Sequence, residues 1–179
     1  SVYIGVKDLI FEPSSPIRHY TELLSVLKQV SFDKPVVFVY SDGAPDHYLD
    51  YFCIGCTAPY HSWRNPIERF MSIINLGLQS VGLARSKMSD EFEKEVSKCS
   101  SQNDLRQRFF ERKEDVKQSL SPIKSTLHSI FTCLILYDEA FQVYDSASER
   151  EISDFWTCLT ALDSTIEEGS IFRKETINL

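Results

Sequence analysis

The sequence has no apolar run that approaches the roughly 18 consecutive residues of a membrane-spanning helix. Its first residues, Ser1 to Ile4, also lack the basic segment and apolar core of a secretory signal. We therefore expect no membrane partner. Because Ser1 stands where an initiator methionine is usual, we interpret the chain as an interior fragment of a longer protein.

Cysteine is scarce, with five scattered residues, an odd number that does not suit a disulfide framework. This usage indicates a reducing, intracellular compartment. The sequence also lacks the glycine-rich loop that cradles phosphates and the G-x-S-x-G motif of serine hydrolases. Nucleotide binding through such a loop and triad-type hydrolysis are therefore not indicated.

What the chain does have is acidic charge, with 26 Asp and Glu against 19 Lys and Arg and a net charge of −7. An acidic surface disfavours nucleic acid, since binding of phosphates depends on Lys and Arg, although a local basic patch is still compatible with this balance. With 179 residues and 42% hydrophobic content, the chain is long enough to form a globular core.

Short β-type runs alternate with helical patterns in the first half of the sequence. The predicted strands fall within 2–11, 36–40 and 50–58, and the predicted helices cover 18–30 and 66–84. This order indicates an α/β fold for residues 1–88. The charged stretch 89–118 is typical of a solvent-facing helix. We predict that residues 89–179 form an all-helical region, with the domain boundary near Lys87.

Two acids fall at positions where chemistry is often found. Asp42 follows the apolar run 36–40, and ligands of open α/β sheets bind beyond the carboxyl ends of strands. Glu68 lies in the first turn of a helix that Asn65 and Pro66 are expected to open. Two such carboxylates suit Mg²⁺. The alternative is structural, because Asp is common in turns and Glu is favoured by the helix dipole.

The stretches VFVYSDGAPDH and TAPYHSWRNPIERFMSIINLGLQSVGL resemble the catalytic core of DDE-type transposases and integrases, which have an RNase H-like fold. The pattern DGxPDH…TAPxxSWRNPxER is similar to a transposon-derived group of invertebrates. This resemblance implies a partial RNase H-like sheet with flanking helices. It makes Asp42 and Glu68 the second and third catalytic carboxylates and the ligands of Mg²⁺ or Mn²⁺, with His47 and Asn65 shaping the site.

The resemblance also implies DNA as a partner and a nuclear location. The side chains that would contact nucleic acid are His61, Trp63, Arg64 and Arg69, an aromatic and cations beside the expected site. The alternative is that Trp63 covers the hydrophobic core while the arginines are solvated or pair with local acids. The sequence is compatible with both interpretations.

Two features depart from the family pattern. The family has a further Asp on its first strand, but only Asp8 and Asp33 precede Asp42, neither in a convincing first-strand context. The 25 residues between Asp42 and Glu68 also make a shorter spacing than is usual in that superfamily. We therefore expect a transposase-derived domain that is inactive by itself. The alternative is a domesticated, non-catalytic module that binds proteins through its helical region.

Cys53-x-x-Cys56, with His47 and His61 nearby, forms a second candidate constellation. Thiolates and imidazoles at such spacings can bind Zn²⁺. If both cysteines lie in one strand, however, their side chains point to opposite faces, which favours ordinary buried thiols.

Overall fold

The computed structural model of the chain describes residues 2–34, 37, 39–41, 54–56, 67–162 and 164. These residues form helices and small sheets, so the prediction of a mixed α and β chain is confirmed at this level. The chain divides into two compact units, each made of two stretches. Unit 1 comprises Ser1–Pro13 with Met71–Ser146, and unit 2 comprises Ser14–Phe70 with Ala147–Leu179. The boundary near Lys87 stays a prediction.

Strands and helices are interspersed along the described residues, from β1 near the start to α6 near the end. The strands are β1 Tyr3–Val6, β2 Val39–Ser41, β3 Ile54–Cys56, β4 Ile135–Leu136, β5 Glu139–Ala140 and β6 Gln142–Asp145. The helices are α1 Pro16–Gln29, α2 Ile67–Gly77, α3 Asp90–Val96, α4 Gln102–Arg108, α5 Lys113–Thr132 and α6 Glu149–Leu162. A 3-10 helix, Phe110–Arg112, precedes α5. The first predicted helix is confirmed, and β1, β2 and β3 each cover part of a predicted strand, although much of 36–40 and 50–58 lies outside the described residues. The helix predicted over 66–84 ends at Gly77.

The expectation of an all-helical region after residue 88 is wrong, because β4, β5 and β6 lie within it. Tyr137 and Asp138 both have positive φ, 52° and 63°, which turns the chain tightly between β4 and β5. Such two-residue hairpin turns usually carry Asn-Gly or Asp-Gly, and Tyr-Asp gives no such signal. The apolar run before this turn therefore reads as helical in the sequence.

Unit 1 is organised around a parallel pair of strands from its two ends. β1 pairs with β6 in a register that runs from Tyr3 opposite Gln142 to Val6 opposite Asp145. Helix α5 packs against both strands. Parallel strands need a crossover connection, and here nearly all of unit 1 together with the first stretch of unit 2 lies between them in the sequence.

The main core of unit 1 is built by three buried side chains, Phe92, Phe109 and Val116. The rings of Phe92 and Phe109 lie with their centroids 4.5 Å apart at an interplanar angle of 43°. The charges of 89–118 indicated one solvent-facing helix. The buried residues Phe92, Phe109 and Val116 within this stretch show that it is not one. It forms α3, α4 and the start of α5, and each of the short helices α3 and α4 has a serine at its N-cap.

In unit 2, helix α1 packs against α6. Tyr20 of α1 and Phe155 and Leu159 of α6 form the buried cluster. Burial raises the pKa of the Tyr20 phenol to about 12. The start of α1 follows its sequence signals, because Ser15 caps the helix by accepting a hydrogen bond from the Arg18 backbone N–H at 3.3 Å, and Pro16 occupies the first helical turn.

Charged side chains of α1 hold the segment that leads into α6. The buried guanidinium of Arg18 donates to the Ala147 carbonyl and to Glu149 Oε1 at 2.7 Å. The buried Glu22 carboxylate accepts from the Ala147 backbone N–H at 3.2 Å. Both backbone groups of Ala147 are thus satisfied inside unit 2, as a buried peptide requires.

We expect Phe109→Ala to lower the free energy of unfolding by about 3–5 kcal/mol, because it empties a fully packed aromatic site. Phe109 is 1% exposed, whereas its neighbour Phe110 is 66% exposed. The matched variant Phe110→Ala should change stability by no more than about 0.5 kcal/mol. Urea unfolding followed by circular dichroism measures both, and equal losses would contradict this core.

Arg18→Met should destabilise the chain by about 3–5 kcal/mol, since it removes one partner of a buried charged network and leaves the Ala147 carbonyl without its donor. Glu149→Gln is the matched control, because the Glu149 side chain is 77% exposed although it contacts the same guanidinium. That control should lose no more than about 1 kcal/mol. Thermal unfolding compares the stability of the two variants. If Arg18→Met left the stability unchanged, the contacts of Arg18 to Ala147 and Glu149 would not be what holds α6.

Candidate functional site

The predicted catalytic site begins at the edge of the β2–β3 pair. These strands are parallel, with Val39 opposite Ile54 and Ser41 opposite Cys56, so their carboxyl ends meet at one edge. Asp42 follows Ser41, the last residue of β2, in the sequence. Asp42 itself lies outside the described residues. So do the other predicted site residues of this region: His47, His61, Trp63, Arg64 and Asn65.

Glu68 and Arg69 are the two predicted site residues that the structure describes. Both lie in the first turn of α2, and both are exposed. A carboxylate at this position can present oxygen to a cation, and it also complements the positive end of the helix dipole. The expected cap at Asn65 and Cys53 of the C-x-x-C pair fall outside the described part of the chain.

A charged cluster at the carboxyl end of the β1–β6 pair is a second candidate, for which the sequence carries no local motif. Lys124 Nζ lies 2.9 Å from Asp145 Oδ1, and His128 Nε2 lies 3.2 Å from the same oxygen. Lys117 Nζ lies 2.9 Å from Glu12 Oε1. We call these five side chains the strand-end cluster. Its position is the one at which open α/β sheets bind ligands.

The two lysines and the histidine of the strand-end cluster come from one face of α5. Positions 117, 124 and 128 are seven and four residues apart, which brings them onto the same side of a helix. The acids come from opposite ends of unit 1, since Glu12 follows β1 and Asp145 ends β6. The spacing on α5 is visible in the sequence, but the acids that face it are brought there by a strand pairing that spans most of the chain.

The local charges lower the pKa of both acids. A hydrogen bond from Lys124, followed by the charges of Lys124 and His128, holds the pKa of Asp145 below its ordinary value. Burial alone would raise the pKa of Glu12, but hydrogen bonds from Lys117 and the Asp8 backbone, with the charges of Lys117 and Lys124, lower it overall. Both carboxylates are therefore held ionised by partners within the cluster.

Asp8 lies beside this cluster, two residues after β1. Its Oδ1 accepts from the Ile10 backbone N–H at 2.8 Å, and its backbone N–H donates to Glu12 Oε2 at 3.4 Å. Its buried Oδ2 has no hydrogen-bond partner within the described residues. The sequence around Asp8 does not indicate a first strand, yet Asp8 follows the parallel strand β1.

The described residues contain no group of three or more His, Cys, Asp or Glu side chains that could hold a metal ion. In the strand-end cluster each acid is already matched by a lysine. This arrangement suits an ionic connection between α5 and the strand ends, and it is not built as a cation site.

No protein-family model, no curated protein and no solved structure matches this chain. The likeness to DDE-type enzymes therefore rests on the quoted motifs alone. Within the ranges that the structure describes, none of the helices is both long and apolar enough to cross a membrane.

Lys124→Met should raise the pKa of Asp145 toward its ordinary value, because it removes the first cause of the shift. Carboxyl NMR titration measures this pKa directly. Lys87→Met is a suitable control, since Lys87 forms an exposed pair with a different acid, Asp90, at 2.9 Å. An unchanged Asp145 pKa in Lys124→Met would contradict the geometry of the strand-end cluster.

The same interaction predicts a pH dependence of stability. The folded-state pKa of Asp145 is depressed, so its stabilising contribution is present above the unfolded-state pKa of about 3.9. It is lost as the pH falls through the folded-state pKa. The wild-type chain should therefore lose more of its free energy of unfolding on acidification than Lys124→Met does, as urea unfolding at a series of pH values would show.

Proposed function

We propose that this chain is a domain derived from a DDE-type, divalent-metal-dependent DNA strand transferase, and that it is inactive by itself. The observation that carries the proposal is where strand β2 ends and where helix α2 begins relative to the two motifs. Strand β2 ends at Ser41, directly before Asp42, and Glu68 lies in the first turn of a helix. The end of β2 and the position of Glu68 agree with what the resemblance implies.

The order of elements adds support. The parallel strand β3 stands between the two motifs, and α2 lies within the second. An acid after one strand and an acid on a following helix are the two carboxylates that an RNase H-like site would draw from this stretch. The RNase H-like fold, the DNA partner and the nuclear location remain part of the proposal.

Asp42 and Glu68 would hold Mg²⁺ or Mn²⁺ through carboxylate oxygens, the ligand type that these hard cations prefer. A pair of such ions stabilises the attacking and leaving oxygens of phosphoryl transfer when three carboxylates hold them. The motifs supply two of the three carboxylates. For this reason the proposed role of the isolated chain is to bind DNA without cleaving it.

A protein-binding role is the second candidate, and one specific observation favours it. Helix α2 carries six large apolar side chains in eleven residues, yet none of its residues is buried. Ile67, Met71 and Leu76 are all exposed. An apolar helix surface of this kind is typical of a site that contacts another protein.

A nicking assay tests the proposal of inactivity. We expect no cleavage of supercoiled DNA above background in Mg²⁺ or Mn²⁺, and no difference between the wild-type chain and Asp42→Asn. Robust cleavage that disappears in Asp42→Asn would overturn the inactivity and support a working site.

Salt-dependent binding separates the DNA and protein candidates. If the chain binds DNA through a basic surface near Glu68, affinity should fall steeply between about 50 and 200 mM salt. Arg69→Ala should then weaken binding and reduce the salt dependence, while Lys87→Ala, a lysine of unit 1, should not. Absence of binding at low salt would favour the protein-binding role.

A further inference from the structure

An uncharged groove of about 540 Å³ lies in unit 1, between the end of α2 and the end of α5. Gly77 lines it on α2 and Leu134 lines it just after α5, and an added Cβ at Gly77 would come within 2.9 Å of Leu134 Cδ2. Large apolar side chains project beside it, because Leu76 is 68% exposed and Ile135 is 62% exposed. The groove therefore suits an apolar side chain.

The rim of this groove is acidic on one side. Strand β4 begins at Ile135, directly after Leu134, so the β4–β5 hairpin adjoins the groove. This hairpin carries the exposed acids Asp138 and Glu139, and residues 129–141 contain no Lys or Arg. In the part of the chain that the structure describes, no ion pair includes Asp138. Its charge is thus available to a partner.

The cations nearest to the groove in the sequence are already in use. Lys124 and His128 of α5 stand beside the lining residues Ser125 and Ser129. Both contact the Asp145 carboxylate, at 2.9 and 3.2 Å. They therefore stabilise the strand-end cluster, and the hairpin acids keep their effect on the groove.

Tyr137 stands beside Asp138 at the tip of the hairpin. It is 79% exposed, and its φ of 52° is a conformation that large side chains rarely adopt. An exposed aromatic ring attracts a cation to its face, and a neighbouring carboxylate accepts charge-assisted hydrogen bonds from the same cation. Tyr137 and Asp138 together therefore suit an Arg or Lys side chain.

We propose that the groove and the hairpin tip bind a basic, amphipathic segment of another protein. A large apolar side chain of that segment enters the groove beside Leu76, and a flanking Arg or Lys pairs with Asp138 and lies against Tyr137. Charge complementarity selects this partner, because a chain of net charge −7 attracts cationic segments. The inference rests on the protein-binding role proposed for α2 and names the chemistry of its partner.

The same charges disfavour other occupants of the groove. A second copy of the chain also carries a net charge of −7 and would bring a second acidic hairpin. Anionic lipid surfaces attract basic segments, and nucleic acid binds through Lys and Arg, but none of the lining residues is charged. Asp42 and Glu68 take no part in this site, so it does not depend on the proposed metal ligands.

Fluorescence anisotropy with the full chain and a labelled synthetic peptide tests the proposal. The probe is an amphipathic peptide of leucine and arginine. One control peptide has glutamate in place of arginine, and the other has serine in place of leucine. We expect the leucine–arginine peptide to bind at least about tenfold more tightly than either control, since each control removes one half of the complementarity.

Asp138→Asn should weaken binding of the leucine–arginine peptide about threefold to fivefold, because it removes a charge at the rim. Asn tolerates the positive φ of this position, 63°, so the turn is kept. Glu111→Gln is the matched control, since it removes one negative charge from an exposed acid of the 3-10 helix. It should leave the affinity unchanged.

Leu76→Ser should weaken the same binding at least about tenfold, because it removes an apolar side chain from the contact. Phe110→Ser is its control, since Phe110 is 66% exposed but belongs to the 3-10 helix. The control should bind the peptide as the wild-type chain does. Thermal unfolding followed by circular dichroism checks that each variant is folded.

Several results would overturn the proposal. If Glu111→Gln weakened binding as much as Asp138→Asn, the attraction would be non-specific. If the leucine–glutamate peptide bound best and Leu76→Ser abolished its binding, the protein-binding role would hold but the basic partner would be wrong. If no peptide bound, both would fail. A dimer in sedimentation velocity that Leu76→Ser disrupts would assign the groove to a second copy.

Discussion

The parallel pairing of β1 with β6 is the contact on which unit 1 depends. It joins residues 3–6 to residues 142–145, and α5 packs against both strands. The ion pairs of the strand-end cluster exist because this pairing brings Glu12 and Asp145 to the same face of α5. Arg106 stabilises the segment that follows β1 by donating hydrogen bonds to the Leu9 and Ile10 carbonyls.

Unit 2 is closed by a comparable long-range contact. The backbone of Ala147 is held by Arg18 and Glu22, and the apolar faces of α1 and α6 then bury Tyr20 against Phe155. Each unit thus combines an early and a late stretch of the chain. Contacts between residues so far apart in sequence carry a large loop-closure cost, which favours slow folding. Stability therefore rests on a few contacts of high sequence separation.

The sequence predicts local structure well where the signal is itself local. The apolar spacing of 18–30 predicts α1, which begins two residues earlier at Pro16, and the position of Glu68 in a first helical turn follows from its neighbours. The hairpin at Tyr137 carries none of the usual turn residues, so its strands were not predicted. The core at Phe92 and Phe109 is hidden because short helices interrupt the apolar period within a highly charged stretch.

The candidate sites differ in the same way. Glu68 and Arg69 were found from a compact motif, and the structure places them together at the exposed start of α2. The sequence does not predict the strand-end cluster, because its acids meet the side chains of α5 only through the β1–β6 pairing. Sequence motifs reveal functional residues that are close together in the sequence. Charge clusters built by tertiary contacts involve residues that no short stretch contains.

We propose that Asp42 and Glu68 share one divalent cation. Titration with Mn²⁺, followed by electron paramagnetic resonance, tests it without any need for catalysis. We expect one bound Mn²⁺ per chain, and we expect both Asp42→Asn and Glu68→Gln to lose it. Asp145→Asn should retain it, because the Asp145 carboxylate of the wild-type chain is already paired with Lys124. Absence of Mn²⁺ binding, or binding that neither substitution changes, would contradict the account.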